Sequence, residues 1–308
     1  MRVELAGLGE CMAELWAARP LEQAAVLRRG FGGDTLNATA AAAGMGVRSA
    51  YVTALGEDPV GAHIRAGLAG LGIDASRIVA RAGRNTGLYL VDVDRQGERR
   101  FHYYRTGSAA STFGPEDLDL EWLRSLRLLH VSGISQAISL SMRKAVLVAA
   151  HTVVAAGGML SYDTNFRPAL WGSPEAAGQA IDELPAPSLF APSAADLELL
   201  FPGQDLEALA QRFLDRGSRA VLIKAGERGA YLASDEHTGW VPAPHVRRPR
   251  DTTAAGDAAV GVMAAGMLRG LPLRESARLA NLAAAFAIRR RGSVASLPRA
   301  ADIGFPMR

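Results

Sequence analysis

Short apolar runs alternate with segments of helical periodicity through most of the chain. Six runs rich in aliphatic or β-branched residues are typical of buried strands. They are residues 3–9, 50–55, 128–132, 159–164, 189–192 and 220–225. The helical segments are residues 35–44, 141–156, 206–216, 256–269 and 274–290. Strands and helices that alternate at this spacing predict an α/β fold, with a mainly parallel central sheet flanked by helices.

One segment departs from that alternation. Residues 86–93 and 99–105 are extended and mix polar with aromatic side chains. Asp94-Arg95-Gln96-Gly97 between them is typical of a hairpin turn. We expect residues 1–308 to form a single domain, with a small β-sheet lid made of segments about 10–17 and 84–106. The tail after Pro298 is expected to be a short surface extension.

The composition argues against several classes of protein. Of 308 residues, 49% are hydrophobic and 21% charged, as in ordinary globular enzymes. We expect no membrane partner and a cytoplasmic location, because the chain has no long apolar stretch and no signal-peptide pattern at residue 1. The single cysteine, Cys11, excludes an internal disulfide framework. The net charge of +3 is spread along the chain, so nucleic acid is not an expected partner.

The run Asp251-Thr252-Thr253-Ala254-Ala255-Gly256-Asp257 precedes a helix of small residues. Such a helix start lets a ligand approach the backbone and presents unpaired N–H groups to an anion. Asp257 could accept a proton from an attacking hydroxyl, while the amides of Ala255, Gly256 and Asp257 stabilise the developing charge. The residues alone equally allow Asp257 to be an ordinary residue of a helix start.

Two further loops are candidates for ligand contact. In Gly30-Phe31-Gly32-Gly33-Asp34-Thr35-Leu36-Asn37, the glycines permit close approach, and Asp34 and Asn37 can bond hydroxyls. Residues 222–229 join two predicted strands, and Lys224 there could neutralise phosphate charge. Both loops also fit ordinary turns.

Together these runs resemble the two signatures of the ribokinase (PfkB) family of carbohydrate kinases, and the resemblance spans nearly the whole chain. It implies a ribokinase-like fold, ATP and Mg²⁺, and Asp257 as the catalytic base beside the anion hole of Ala254, Ala255 and Gly256. The family usually has glycine at the position of Ala254. Because the anion hole is made of backbone, we expect the extra methyl group to be tolerable.

Several motifs are similar to the branch of the family that phosphorylates the 6-hydroxyl of 2-keto-3-deoxygluconate. They are residues 9–12, 32–37, 97–101, 132–135 and 163–171. That substrate carries a carboxylate, which arginine binds through a planar fork. By resemblance, the sugar acid contacts Gly33, Asp34, Asn37, Tyr89, Tyr103, Tyr104, Arg105, Arg167 and Asp257. Without the resemblance, residues 103–105 fit better as part of a surface hairpin with amphipathic aromatics.

The resemblance also implies nucleotide and metal contacts. The nucleotide positions are Asn165, Arg167, Ser193, Lys224, Gly226, Glu227, Gly229, Ala254, Ala255, Gly256 and Asn281. The family's Asn-x-x-Glu element becomes Ser193-Ala194-Ala195-Asp196, which leaves Asp196 to organise Mg²⁺ through bound water. Asp251 and Thr253 resemble positions that often hold a monovalent cation such as K⁺. Lidded members often associate through the lid sheet, so a homo-oligomer is expected.

Other enzyme classes lack their signatures here. Gly7-Leu8-Gly9 is followed by Met12 where a dinucleotide fingerprint has its third glycine, and no Gly-Lys pair of a Walker A loop occurs. The six histidines lack zinc-ligand spacing, and no Gly-x-Ser-x-Gly occurs. The open alternatives are a fructokinase or other ribokinase-like kinase, and a non-catalytic sugar- or nucleotide-binding protein. Arg105 and Arg167 favour a sugar acid, and Asp257 favours an enzyme.

Overall fold

The structure, a computed structural model, describes residues 2–17, 19–93 and 99–307. Its strands are β1 (Leu5–Leu8), β2 (Met12–Trp16), β3 (Arg28–Gly32), β4 (Ser49–Gly56), β5 (Ile78–Arg81), β6 (Leu88–Val93), β7 (Arg99–Tyr104), β8 (Leu128–Ser132), β9 (Met159–Asp163), β10 (Leu189–Phe190), β11 (Ala220–Lys224), β12 (Ala230–Ser234) and β13 (Thr238–Val241). Its α-helices are α1 (Asp34–Gly44), α2 (Pro59–Gly70), α3 (Leu120–Arg124), α4 (Gly133–Ala137), α5 (Leu140–Ala155), α6 (Pro174–Asp182), α7 (Ala194–Leu200), α8 (Leu206–Asp215), α9 (Ala255–Leu268), α10 (Leu273–Ala287) and α11 (Ala300–Ile303). Within the described ranges, no helix combines the length and apolar character needed to cross a bilayer. The predicted turn Asp94-Arg95-Gln96-Gly97 lies outside the described residues.

Nine strands form the main sheet, in the order β13-β12-β11-β10-β9-β8-β1-β4-β5. All neighbours from β11 to β5 are parallel, whereas β12 and β13 are antiparallel. Helices cover both faces: along β11, the side chains of Val221 and Ile223 join one core cluster, and those of Ala220 and Leu222 join the other. The predicted α/β class with a mainly parallel sheet is confirmed.

A separate sheet of four strands has the order β3-β2-β6-β7. β2 pairs antiparallel with β3 and parallel with β6, and β6 pairs antiparallel with β7. The sequence did not predict β3, because Arg-Arg-Gly-Phe-Gly has no alternation of apolar and polar residues. Its backbone pairing with β2 along the whole of Met12–Trp16 makes it a strand.

Helices α1 and α9 pack with their backbones almost in contact. A Cβ atom on Gly261 of α9 would lie 2.1 Å from the carbonyl oxygen of Ala38 in α1, and one on Gly7 of β1 would lie 2.1 Å from Thr39 Oγ1. Only glycine fits at such distances. The contact therefore fixes the starts of α1 and α9 beside each other at the carboxyl end of β1.

The C-terminal tail packs against the core instead of extending over the surface. Ala300 and Ile303 of α11, and Phe305 after it, are buried in the cluster formed by α9 and α10. The prediction of a surface extension was wrong. The tail has one apolar residue about every third position, so a single helical turn can cover the edge of the core. A pattern this short cannot be recognised in the sequence.

Candidate active site

Polar residues gather where parallel strands of the main sheet end. Glu10 follows β1, Asp163 ends β9, and Lys224 ends β11. The carboxyl ends of parallel strands meet at one edge of a sheet, where open α/β folds bind their ligands. The amino ends of α1 and α9 lie at the same edge, so their unpaired N–H groups also face it.

Asp257 lies in the first turn of α9 and is partly buried. Asn37 Nδ2 of α1 donates a hydrogen bond to Asp257 Oδ2 at 2.8 Å, which brings the two predicted signatures into contact. Burial raises the pKa of Asp257 to about 7, and the negative charge of Asp34 adds to the rise. The bond from Asn37 and the positive charge of Lys224 oppose it. A carboxyl group with this pKa can gain and lose a proton near neutral pH.

The backbone before Asp257 has an unusual conformation. Ala254, the N-cap of α9, has φ 61° and ψ 6°, in the left-handed region. The Ala255 amide donates to Thr252 O at 3.3 Å. The amides of Gly256 and Asp257 also lie in the first turn, where no carbonyl one turn earlier can accept from them. They are the N–H groups available to an anion.

The start of α1 carries three of the predicted sugar-binding positions. A Cβ atom on Gly33 would lie 2.1 Å from the carbonyl oxygen of Glu10, so only glycine fits there. Asp34 Oδ2 accepts a hydrogen bond from Asn165 Nδ2 at 3.0 Å. Asn165 has φ 33°, so it and Ala254 are the non-glycine residues with positive φ among those described, and both lie at this edge.

Lys224 forms an ion pair with Asp163, a residue to which the sequence analysis gave no role. A Cβ atom on Gly256 would lie 3.6 Å from Lys224 Nζ, so the ammonium group lies at the amino end of α9. The signal for Asp163 was its position directly after the apolar part of β9. Together Lys224 and the helix start make this end of the edge attractive to phosphate.

The remaining predicted nucleotide positions lie around that edge, and they differ in whether their polar groups already bond other residues of the protein. Gly226 (φ 58°) and Gly229 (φ 94°) flank exposed Glu227 in a turn between β11 and β12. The Ser193 hydroxyl caps α7 by accepting from Asp196 N at 3.0 Å. Asn281 Nδ2 already donates to the carbonyl of Val241 at 2.8 Å.

The predicted metal positions differ in their surroundings. Asp196 Oδ2 accepts from Thr164 Oγ1 at 2.7 Å. Asp251 accepts from Thr253 N at 3.0 Å and from Gly292 N at 2.9 Å, so its two oxygens fix the loop before α9. Among the residues described, no three His, Cys, Asp or Glu side chains could hold a metal by themselves. A lone carboxylate such as Asp196 fits Mg²⁺ held through water and phosphates.

The small sheet turns one face towards this edge. On that face, the ring centroids of Tyr89 and Tyr103 are 5.9 Å apart, and the Arg105 guanidinium lies 5.0 Å from the Tyr103 ring. Burial raises the pKa of Tyr103, while the positive charges of Arg105 and Arg167 oppose the rise. Both arginines therefore act on the same side chain. Tyr104 lies on the opposite face of β7, since adjacent strand residues alternate, and is 61% exposed. Tyr103 is itself 51% exposed, so its burial is only partial.

Two contacts of the predicted sugar residues involve acids that the sequence analysis did not assign. Arg105 Nη1 lies 3.1 Å from Glu10 Oε2. Tyr89 shares a hydrogen bond of 2.7 Å with Ser293 Oγ, which in turn contacts Glu14. The only sequence signal for either acid was its place within residues 9–17.

An acid with a pKa near neutrality, beside a helix start and a lysine, fits a phosphotransferase. Residues 4–300 match the pfkB family of carbohydrate kinases, and the chain belongs to that family. It is 31% identical to 2-dehydro-3-deoxygluconokinase of Bacillus subtilis (97% of this chain, 93% of that protein) and 33% identical to that of Escherichia coli K12 (98% and 99%). It is also 32% identical to probable fructokinase-3 of Arabidopsis thaliana (87% and 79%).

Solved structures have the same fold. The structure of a putative ribokinase II of Escherichia coli in complex with ATP and Mg²⁺ matches with a TM-score of 0.90 at 26% identity, covering 98% of each chain. A PfkB protein from Polaromonas matches with a TM-score of 0.86 at 29% identity, covering 95% of this chain and 98% of its own. The predicted ribokinase-like fold and the prediction of a carbohydrate kinase are confirmed.

Proposed function

We propose that the protein transfers the γ-phosphoryl group of ATP to the 6-hydroxyl of 2-keto-3-deoxygluconate, giving 2-keto-3-deoxy-6-phosphogluconate. The observation that carries this proposal is that the Arg105 guanidinium lies 5.0 Å from the Tyr103 ring. The positive charge of Arg167 also opposes the rise in the Tyr103 pKa, which supports a second cation at this end of the site. A neutral sugar does not need two guanidinium groups, whereas a sugar acid does. The relatives named 2-dehydro-3-deoxygluconokinase support the same substrate.

In the proposed reaction, Asp257 removes the proton from the 6-hydroxyl. The sugar oxygen forms a bond to the γ-phosphorus as the bond from that phosphorus to the β-phosphate oxygen of ADP breaks. The Gly256 and Asp257 amides and Lys224 stabilise the charge on the transferred group. Mg²⁺, held through water near Asp196, would neutralise phosphate charge. The proton on Asp257 then leaves to solvent.

The small sheet is proposed to act as a lid. Its face with Tyr89, Tyr103 and Arg105 would cover the bound sugar and exclude water, which would otherwise hydrolyse ATP. Addition of the sugar acid should slow amide hydrogen exchange in β6 and β7. Unchanged exchange at saturating sugar would contradict the lid.

The substrate is tested by coupled ATP turnover with Mg²⁺ on 2-keto-3-deoxygluconate, its galacto epimer, fructose, ribose and gluconate. We expect turnover with the keto-deoxy acids. Arg105→Ala should raise KM for the acid at least tenfold with little change in KM for ATP, while exposed Arg274→Ala serves as the matched control. Equal changes in both KM values would argue against carboxylate binding by Arg105.

Asp257→Asn should lower kcat by about 10²–10⁴-fold, because the general base is lost. The control is Asp34→Asn, which removes a neighbouring carboxylate and should act mainly on the KM for sugar. Near-normal kcat in Asp257→Asn would rule out the proposed base. A comparison of KCl with choline chloride tests the proposed monovalent cation near Asp251 and Thr253.

Fructose is the second candidate substrate. The ion pair between Glu10 and Arg105 partly neutralises one of the two cations, and the fructokinase relative reaches a similar identity, 32%, over a smaller share of the chain. Turnover of fructose without turnover of the keto-deoxy acids would establish this alternative and leave the proposed role of Asp257 intact.

A further inference from the structure

Glu10 is a buried acid at the sugar end of the site, between β1 and β2. It is 2% exposed, and its Oε2 lies 3.1 Å from Arg105 Nη1, whose side chain is 12% exposed. Its backbone cannot move freely: Tyr51 Oη donates to its carbonyl oxygen at 3.0 Å, and Gly33 packs against the same carbonyl. The distance from Glu10 to Arg105 is therefore set by the fold.

The Glu10 carboxylate has few hydrogen-bond donors around it. Neither of its oxygens receives a hydrogen bond of normal geometry from the described residues. The Ser108 hydroxyl is close enough to favour the ionised form slightly, and it too has no normal hydrogen bond among those residues. A buried carboxylate usually needs several donors. The ionised state of Glu10 depends chiefly on Arg105.

Apart from Arg105, the groups that act on Glu10 within the described part of the chain do not supply positive charge. Burial raises its pKa to about 7, the negative charge of Asp34 adds to the rise, and Arg105 opposes it. Cys11, Tyr51 and Tyr103 also interact with Glu10, and burial raises the pKa of each, so they are neutral near pH 7. Any ligand that draws the Arg105 charge away makes ionised Glu10 less favourable.

We propose that Glu10 is a specificity-determining residue of the sugar site, which holds Arg105 while the site is empty and takes up a proton when a sugar acid's carboxylate binds Arg105. This inference rests on the proposed sugar-acid substrate. Two carboxylates at one guanidinium repel each other, and protonation of Glu10 removes the repulsion. A neutral sugar leaves the pair intact and binds without proton uptake.

The test is calorimetric binding of 2-keto-3-deoxygluconate at pH 8, with ADP and Mg²⁺ present, in two buffers of different ionisation enthalpy. Asp257→Asn is the parent protein, because Asp257 also titrates near pH 7. We expect uptake close to one proton. In the parent carrying Glu10→Gln, which keeps the shape of the protonated acid, uptake should fall to near zero. Equal uptake in the two proteins, or none in the parent, would overturn the proposal.

A second measurement needs no change at Glu10. In Asp257→Asn, the Kd for the sugar acid should rise above pH 7 by up to about tenfold per pH unit, while the Kd for ADP changes little. A Kd for the acid that is flat between pH 7 and 9 would also overturn the proposal. Turnover by the unaltered protein separates the two hypotheses. Failure to phosphorylate any sugar acid refutes the substrate, whereas normal turnover without linked proton uptake refutes only Glu10.

Discussion

Ala254 has a left-handed backbone conformation that glycine would adopt with less strain. Ala254 has φ 61° at the start of α9, where a residue with a Cβ atom is destabilised by about 1–2 kcal/mol. Glycine adopts this conformation freely but also gains freedom in the unfolded chain, which offsets about 0.4–1 kcal/mol. Ala254→Gly should therefore raise the free energy of unfolding by about 0.5–1 kcal/mol.

Urea unfolding and thermal melting would measure the change, and Tm should rise by about 1–3 °C. The matched control is Ala255→Gly, one residue further into α9, where φ is not positive and glycine should lower stability. If Ala254→Gly lowered Tm, or behaved like Ala255→Gly, no strain would be stored at Ala254.

Three other predictions concern single side chains. Because the proposed base Asp257 must be ionised and burial raises its pKa to about 7, kcat/KM for the sugar acid should rise about tenfold per unit up to about pH 7. Above pH 7 it should fall again, because ionised Glu10 weakens binding of the acid; a profile without the rise below pH 7 would exclude a base with this pKa. Gly33→Ala places a Cβ atom 2.1 Å from a carbonyl oxygen and should reduce kcat/KM at least 100-fold, whereas Gly178→Ala, with open space around it, should not. Glu4→Gln removes the ion pairs of a buried carboxylate with Arg269 (2.9 Å), Arg127 (3.2 Å) and Arg48 (3.3 Å), and should cost about 2 kcal/mol at pH 7 in urea unfolding. Burial raises the Glu4 pKa, but hydrogen bonds and charge from Arg269 and Arg48 outweigh it and lower the pKa below its ordinary value of 4.5. The difference should therefore shrink as pH falls below 4.5.

The main sheet could be predicted because each core strand carries its own signal. All of β11 up to Ile223 is apolar and buried, so it is recognisable without knowledge of its neighbours. Strand β3 depends on its pairing with β2, and α11 depends on a core edge formed by distant helices. Elements stabilised by tertiary contacts alone leave little pattern in their own residues.

The candidate site was predictable to a similar extent. Asp257 and Asn37 lie in recognisable motifs, and the structure shows their hydrogen bond. Glu10 and Asp163 were not assigned, because each takes its role from a cation that is remote along the chain. The positive φ of Ala254 was also unforeseen, since alanine gives no sign of a left-handed backbone.

The close crossing of α1 and α9 determines which substitutions the catalytic geometry can tolerate. Gly261 lies one helical turn beyond Asp257, and any larger residue there must push α9 away from Ala38. Asn37 and Asp257 would then separate, although neither had been changed. The size of the side chain at this crossing thus sets the distance between Asn37 and Asp257. Random mutagenesis screened for activity should find inactive, folded variants at Gly261, a residue proposed to contact neither substrate.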